Sequence, residues 1–93
     1  LQNSQKINCL IFSKFNLNLL YCGNKNGDFT VYNIEFRRNI FSININEHPI
    51  LCITEIDQEN LLVSTRNGWI YKLTLFDDYK WQLKSELKFN LYL

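Results

Sequence analysis

The chain has 93 residues, enough for one ordinary domain at most and for only a modest core. Ten Lys and Arg stand against nine Asp and Glu, a formal charge of +1, which excludes the strongly basic field that nucleic acid or an anionic membrane surface would demand. No uncharged apolar run approaches the roughly 18 residues of a membrane helix, and Cys9, Cys22 and Cys52 lie singly, without the close spacing of a zinc or redox motif, so they are expected to be free thiols in a reducing compartment.

Residues 1–6 are polar and aperiodic and read as a connector. Ile7 to Phe12 follows as a strand, and its continuous run Cys9-Leu10-Ile11-Phe12 predicts burial on both faces. Ser13 to Asn18 is a turn in which Phe15 and Leu17 are expected to cap the sheet edge. Leu19 to Cys22 and Phe29 to Ile34 are the arms of a hairpin built on Asn26-Gly27. A two-residue loop there would have positive φ at both central positions, which Asn tolerates and Gly adopts freely. Glu35 to Arg38 turns the chain, and the doublet Arg37-Arg38 reads as a solvated turn rather than a phosphate clamp. Asn39 to Ile45 alternates, with Phe41, Ile43 and Ile45 on one face and Ser42 and Asn44 on the other. Asn46-Glu47-His48-Pro49 ends that strand, because Pro lacks a ladder donor and restricts the residue before it.

The same order then recurs. Ile50 to Ile56 is mainly apolar, Asp57 to Asn60 is a polar turn, and Leu61 to Ser64 with Ile70 to Leu75 frames a second hairpin on Asn67-Gly68. Gly27 and Gly68 stand 41 residues apart, a period expected of propeller repeats, in which each unit is a sheet of four strands. Beyond Phe76 to Lys80, the residues Trp81, Leu83, Leu87, Phe89, Leu91 and Leu93 fall on alternate positions with polar residues between them. That is a strand period, since a helix would mix Lys84 and Lys88 with Leu83 and Leu87 on one side. The units are read as residues 7–46 and 47–90, with 91–93 entering a third. Such repeats need about three units for a continuous core, and the chain starts on Leu without any Met, so a piece of a longer protein is expected.

These residues resemble the WD40-repeat family. Asn26-Gly27-Asp28-Phe29-Thr30-Val31-Tyr32-Asn33 is similar to its signature, in which an Asp-Gly turn leads into a strand ending on Trp-Asp, with Tyr32-Asn33 at the dipeptide. In the second unit Asn67-Gly68 and Leu73-Thr74 occupy the same frame, and His48 lies near the family's Gly-His, with Glu47 in place of the Gly. The resemblance implies an all-β fold, two four-stranded antiparallel blades of a WD40-like β-propeller. It also implies a buried network joining the turn Asp, the His, a strand Ser or Thr and the Trp. Asn67 holds the Asp position and Leu73 the Trp position, so packing is expected to substitute for part of it.

For function, no nucleophile is placed beside His48 and Glu47, and adjacent residues in an extended chain point oppositely, so no catalytic residue is assigned. Asp77-Asp78 lacks further ligands at a recognisable spacing and reads as a polar turn, so no metal and no cofactor is expected. Binding in propellers falls to loops at the strand ends. The resemblance groups Asn24, Lys25, Glu47, His48 and Arg66 on one rim, with Trp69 added because it follows a loop at a position where the family carries a small polar residue. Asn26, Gly27, Asn67 and Gly68 are the turn residues of that rim. Arg37, Arg38, Asp77 and Asp78 fall on the opposite one. A mixed-charge rim suits protein partners, which include further blades of the same protein or a complementary chain, better than nucleic acid. The expectation is an intracellular, non-catalytic interaction scaffold. The alternative is a small oligomeric propeller that binds carbohydrate or another small ligand through its aromatic residues.

Overall fold

The computed structural model describes residues 6–77 and 80–88, and at 76, 77, 80 and 82–88 the backbone alone. Residues 1–5 of the connector, Asp78 and the expected third unit at 91–93 lie outside the described residues. Among the described residues eight strands follow one another: β1 (Ile7–Phe12), β2 (Leu19–Asn24), β3 (Asp28–Asn33), β4 (Arg38–Asn44), β5 (Ile50–Asp57), β6 (Asn60–Thr65), β7 (Trp69–Asp77) and β8 (Lys80–Lys88). They form two four-stranded antiparallel sheets, in the orders β1-β2-β3-β4 and β5-β6-β7-β8, so every neighbour in sequence is a neighbour in the sheet. Short polar turns allow this, because an antiparallel pair needs no crossover.

Period-2 alternation decides which side chains meet between the sheets. Register pairs Ile11 with Tyr21, Tyr21 with Val31 and Val31 with Phe41, which places these four on one face of the first sheet. In the second sheet Ile53 pairs with Val63, Val63 with Tyr71 and Leu61 with Leu73. The two faces merge into one core in which Phe29, Val31, Ile50, Leu61, Val63 and Leu73 are fully buried. Burial of each such side chain stabilises the fold by about 1.5–3 kcal/mol.

Under the 41-residue repeat, Leu61, Val63 and Leu73 correspond to Leu20, Cys22 and Tyr32, which lie on the first sheet's other face. The sheets therefore stack in the same sense, like successive blades, and are not placed face to face by a twofold. At Gly23 the first sheet lies close against Ile50 of the second: a Cβ there would overlap Ile50 Cγ2 and crowd the Cys9 sulfur.

Three local expectations change. The hairpins have three-residue loops, 25–27 and 66–68, not two-residue ones. Gly27 N donates to the Asn24 carbonyl (3.3 Å) and Gly68 N to that of Thr65 (3.1 Å). Only the glycines have positive φ in these loops, +85° at Gly27 and +91° at Gly68. This is the turn followed by a left-handed residue that three-residue hairpins favour, and it asks nothing unusual of Asn26 or Asn67. Secondly, β1 is not buried on both faces: Leu10 is 47% and Phe12 66% exposed. It is the first strand of its sheet, and among the described residues no second sheet covers that side. Thirdly, Leu17 (83% exposed) does not cap the sheet edge, and Phe15 is only half-covered (49% exposed).

At Gly27 a Cβ would also overlap the Asn46 carbonyl oxygen. Because positive φ and a backbone collision add, Gly27→Ala is expected to lower stability by at least about 2 kcal/mol, and Gly23→Ala by about 1–3 kcal/mol through overpacking. Urea unfolding of the full-length protein measures both, with exposed Lys25→Ala as a control within about 0.5 kcal/mol of the parent.

Candidate functional site

The rim expected from the sequence is assembled by the connector between the sheets. Ile45 N donates to the Gly27 carbonyl (2.8 Å) and Arg66 N to that of Pro49 (2.9 Å), so the connector is pinned to the β2–β3 loop on one side and the β6–β7 loop on the other. Lys25, Glu47 and Arg66 are exposed there, and His48 and Trp69 are half-buried. Trp69 stacks on Tyr71, with ring centroids 6.2 Å apart.

Asn24 is a correction. It is buried, and its Oδ1 accepts from the Asn26 and Asp28 backbone N–H groups, both at 2.9 Å, while its Nδ2 donates to Asp28 Oδ2 (3.2 Å). Such a side chain holds its own loop and presents nothing to a partner. Asn44 closes the same corner, its Nδ2 donating to Asp28 Oδ1 (2.8 Å) and the Asn26 carbonyl (3.1 Å).

A second correction concerns the network. Asn46 Nδ2 donates to Thr65 Oγ1 (3.1 Å) and to the Tyr71 hydroxyl (2.7 Å), and Thr65 Oγ1 donates to Asn67 Oδ1 (2.6 Å). Asn46 thus does what the resemblance implies for His48, and Tyr71 takes the role expected at the Trp position, where Leu73 is a core residue. His48 contributes its backbone N–H, which donates to Asn46 Oδ1 (2.7 Å) and fixes the Asn46 amide. The signal in the sequence was Thr65-x-Asn67 followed by a Tyr on the next strand.

The opposite rim carries a feature that sequence reasoning missed. Ser13, in the β1–β2 loop, donates its hydroxyl to Glu55 Oε2 (2.6 Å) on β5, while Lys14 N donates to Glu55 Oε1 (2.6 Å). Glu55 is only 8% exposed, so these bonds replace the water its carboxylate has lost. Ser13 Oγ also accepts from Phe15 N (3.2 Å) and Asn16 N (3.0 Å), which shapes the loop. Burial pushes the Tyr21 hydroxyl pKa up; Ser13 opposes the shift through a hydrogen bond, and the Glu55 carboxylate adds to it. Beside this clamp lies a cleft of about 290 Å³ lined by Phe15, Leu19, Tyr21, Glu59, Leu75 and Trp81, among others. Trp81 meets Tyr21 edge to face, with ring centroids 5.9 Å apart. Where the turn after β3 enters β4, the Arg38 guanidinium sits 5.7 Å from the Phe36 ring centre and Arg37 has φ +56°. The side chain of Asp77 and all of Asp78 lie outside the described residues.

Burial raises the Cys9 pKa to about 11, helped by the neighbouring Cys52 and Cys22, and burial raises that of Cys22 also. A thiol at 11 is almost wholly protonated at neutral pH and a poor nucleophile. Among the described residues no three His, Cys, Asp or Glu side chains come together as metal ligands.

Comparison with solved structures places the architecture. The chain is similar to the Cps50 (Swd1) β-propeller domain of Myceliophteria thermophila, with a TM-score of 0.79 at 14% identity. The likeness covers 90% of this chain and 28% of that one, so the chain spans little more than a quarter of its neighbour's length. The fold is that of propeller blades. No protein-family model and no curated protein matches the sequence.

The network makes a testable contrast. Asn46→Ala, which leaves Thr65 and Tyr71 without their shared donor, is expected to cost about 1–3 kcal/mol and Tyr71→Phe about 0.5–1.5 kcal/mol, whereas His48→Ala stays within about 0.5 kcal/mol of the parent. Urea unfolding reads all three. A larger loss at His48 than at Asn46 contradicts the assignment.

Proposed function

We propose that this chain supplies two blades of a WD40-like β-propeller that acts as a non-catalytic protein-interaction scaffold inside the cell. The observation that supports this most directly is the rim carrying Lys25, Glu47 and Arg66. These exposed charges of both signs stand on loops tied to a common connector by backbone bonds and by the Asn46 network. Such a surface displays side chains at little entropic cost on binding, which suits docking of a folded partner. Further blades, in the same polypeptide or in a complementary chain, are the neighbours that would cover Leu10 and Phe12 on the first sheet and the Leu62 and Ile70 face on the second. The same-sense stacking of the two sheets leaves both ends open to continuation. The carbohydrate-binding alternative has weaker support, since Trp81 is 2% exposed and Trp69 stacks within the blade.

The test is made in the full-length protein by purifying it with its partners under native conditions. The double variant Lys25→Glu, Arg66→Glu is expected to reduce the co-purified partner at least about tenfold while the unfolding midpoint holds. Unchanged recovery of partners contradicts the reading.

A further inference from the structure

The turn after β3 borders another cleft on the opposite rim, of about 350 Å³ and lined by Asn33, Phe36, Arg38, Asn39 and Ile40. That volume falls within the roughly 300–1,000 Å³ typical of ligand pockets. Its lining follows from an irregularity in the strand pairing. Val31 pairs with Phe41 but Tyr32 with Asn39, so Ile40 is an extra residue in β4. A regular strand sends successive side chains to opposite faces, and the bulge is what lets Arg38, Asn39 and Ile40 line one cleft. Arg37, at φ +56°, turns the chain so that Arg38 pairs with Asn33.

The cleft gathers donors that have nothing to donate to. Asn33 is 4% exposed, and its Oδ1 accepts from Phe36 N (2.8 Å). That bond fixes which end of the amide is which and leaves Nδ2, which finds no acceptor among the described residues. In a side chain so buried, an unused donor is uncommon. The Arg38 guanidinium lies on the Phe36 ring and, among the described residues, takes no hydrogen bond and no ion pair. Stacking holds the guanidinium plane and leaves its fork of N–H groups open. Phe36, 55% exposed, and the half-buried Ile40 add apolar surface. Glu35, the acid of this turn, does not line the cleft.

We propose that this cleft binds a carboxylate of a partner protein. An Asp or Glu side chain takes paired bonds from Arg38 and a further one from Asn33 Nδ2, while a large apolar neighbour in its sequence lies on Phe36 and Ile40. The proposal rests on the scaffold reading and names the chemistry of one contact on the second rim. A carboxylate suits the site better than a neutral acceptor, because it accepts two bonds from one guanidinium and offsets a cation that has no counter-charge. Arg38 thus departs from the solvated-turn reading of the doublet, whereas Arg37, which does not line the cleft, keeps it.

The test uses the full-length protein and fluorescein-labelled heptapeptides of the form Gly-Ser-Leu-X-Leu-Ser-Gly, with X as Glu, Asp, Gln or phosphoserine, and a matched Glu peptide with Ser in place of both Leu. Fluorescence polarisation is expected to rank Glu or Asp at least about tenfold above Gln, and Leu flanks at least about threefold above Ser flanks. Arg38→Gln abolishes the preference for Glu over Gln, while Arg37→Gln, an equal loss of charge on the neighbouring residue, stays within about twofold of the parent. Asn33→Asp keeps an acceptor for Phe36 N but replaces the free donor by a carboxylate oxygen, so it weakens the Glu peptide at least about tenfold. Its unfolding midpoint shows whether that variant is folded, and if it is not, the contrast between Arg37 and Arg38 decides alone. A silent panel, equal losses in Arg37→Gln and Arg38→Gln, or tighter binding of phosphoserine than of Glu overturns the carboxylate site. The scaffold reading is read separately by the Lys25 and Arg66 variants, so partner loss in those variants with a silent panel removes the cleft and leaves the scaffold standing.

Discussion

A four-stranded sheet with apolar side chains on both faces cannot satisfy itself in water, and the packing of one such sheet on the next is what the rest of this structure depends on. The layer formed by Phe29 and Val31 with Ile53, Leu61, Val63 and Leu73 is continuous, and Gly23 admits Ile50 because it has no side chain to obstruct it. Loss of that contact would expose two apolar faces at once. A 93-residue chain has little other core to offset such a loss.

Packing alone does not fix how the sheets are rotated on one another. Two polar ties do so, one at each end of the strands. At one rim the Asn46 amide reaches from the connector to Thr65 and Tyr71, and at the other the Ser13 hydroxyl and Lys14 N–H reach from the first blade to Glu55 in the second. Buried polar groups of this kind tolerate few arrangements, since an unsatisfied carboxylate or amide is costly in a dry interface. The consequence for function is stiffness: both rims are held by hydrogen bonds, so loop side chains are presented in place.

The architecture was legible in the sequence because its carriers are local. Alternation at Asn39 to Ile45, the glycines at 27 and 68 and the 41-residue spacing require only neighbours along the chain, and the sheets form where they indicate. What was not legible depends on long-range context. The apolar run Cys9 to Phe12 looks the same whether one or two sheets cover it, and Leu10 and Phe12 emerge exposed because the described residues provide one. An Asn such as Asn24 or Asn46 reads as surface in any polar stretch. Its burial follows from donors and acceptors brought to it by folding, in the case of Asn46 from residues 19 and 25 positions away. The Ser13–Glu55 clamp spans 42 positions and leaves no pattern at all in either local segment. The same reasoning explains why residue type misled at His48, where a neighbouring amide with two donors does the work.

The stacking of the two blades is tested most directly across that clamp. Ser13 lies in the β1–β2 loop of the first blade and Glu55 on β5 of the second, so a double-mutant cycle built from Ser13→Ala and Glu55→Gln in the full-length protein measures a contact that exists only if the blades sit on one another as described. The account predicts a coupling of at least about 1 kcal/mol in urea unfolding, as expected of a charge-assisted bond in a buried setting. Effects that add to within about 0.3 kcal/mol would mean that the two side chains do not meet, and would contradict it.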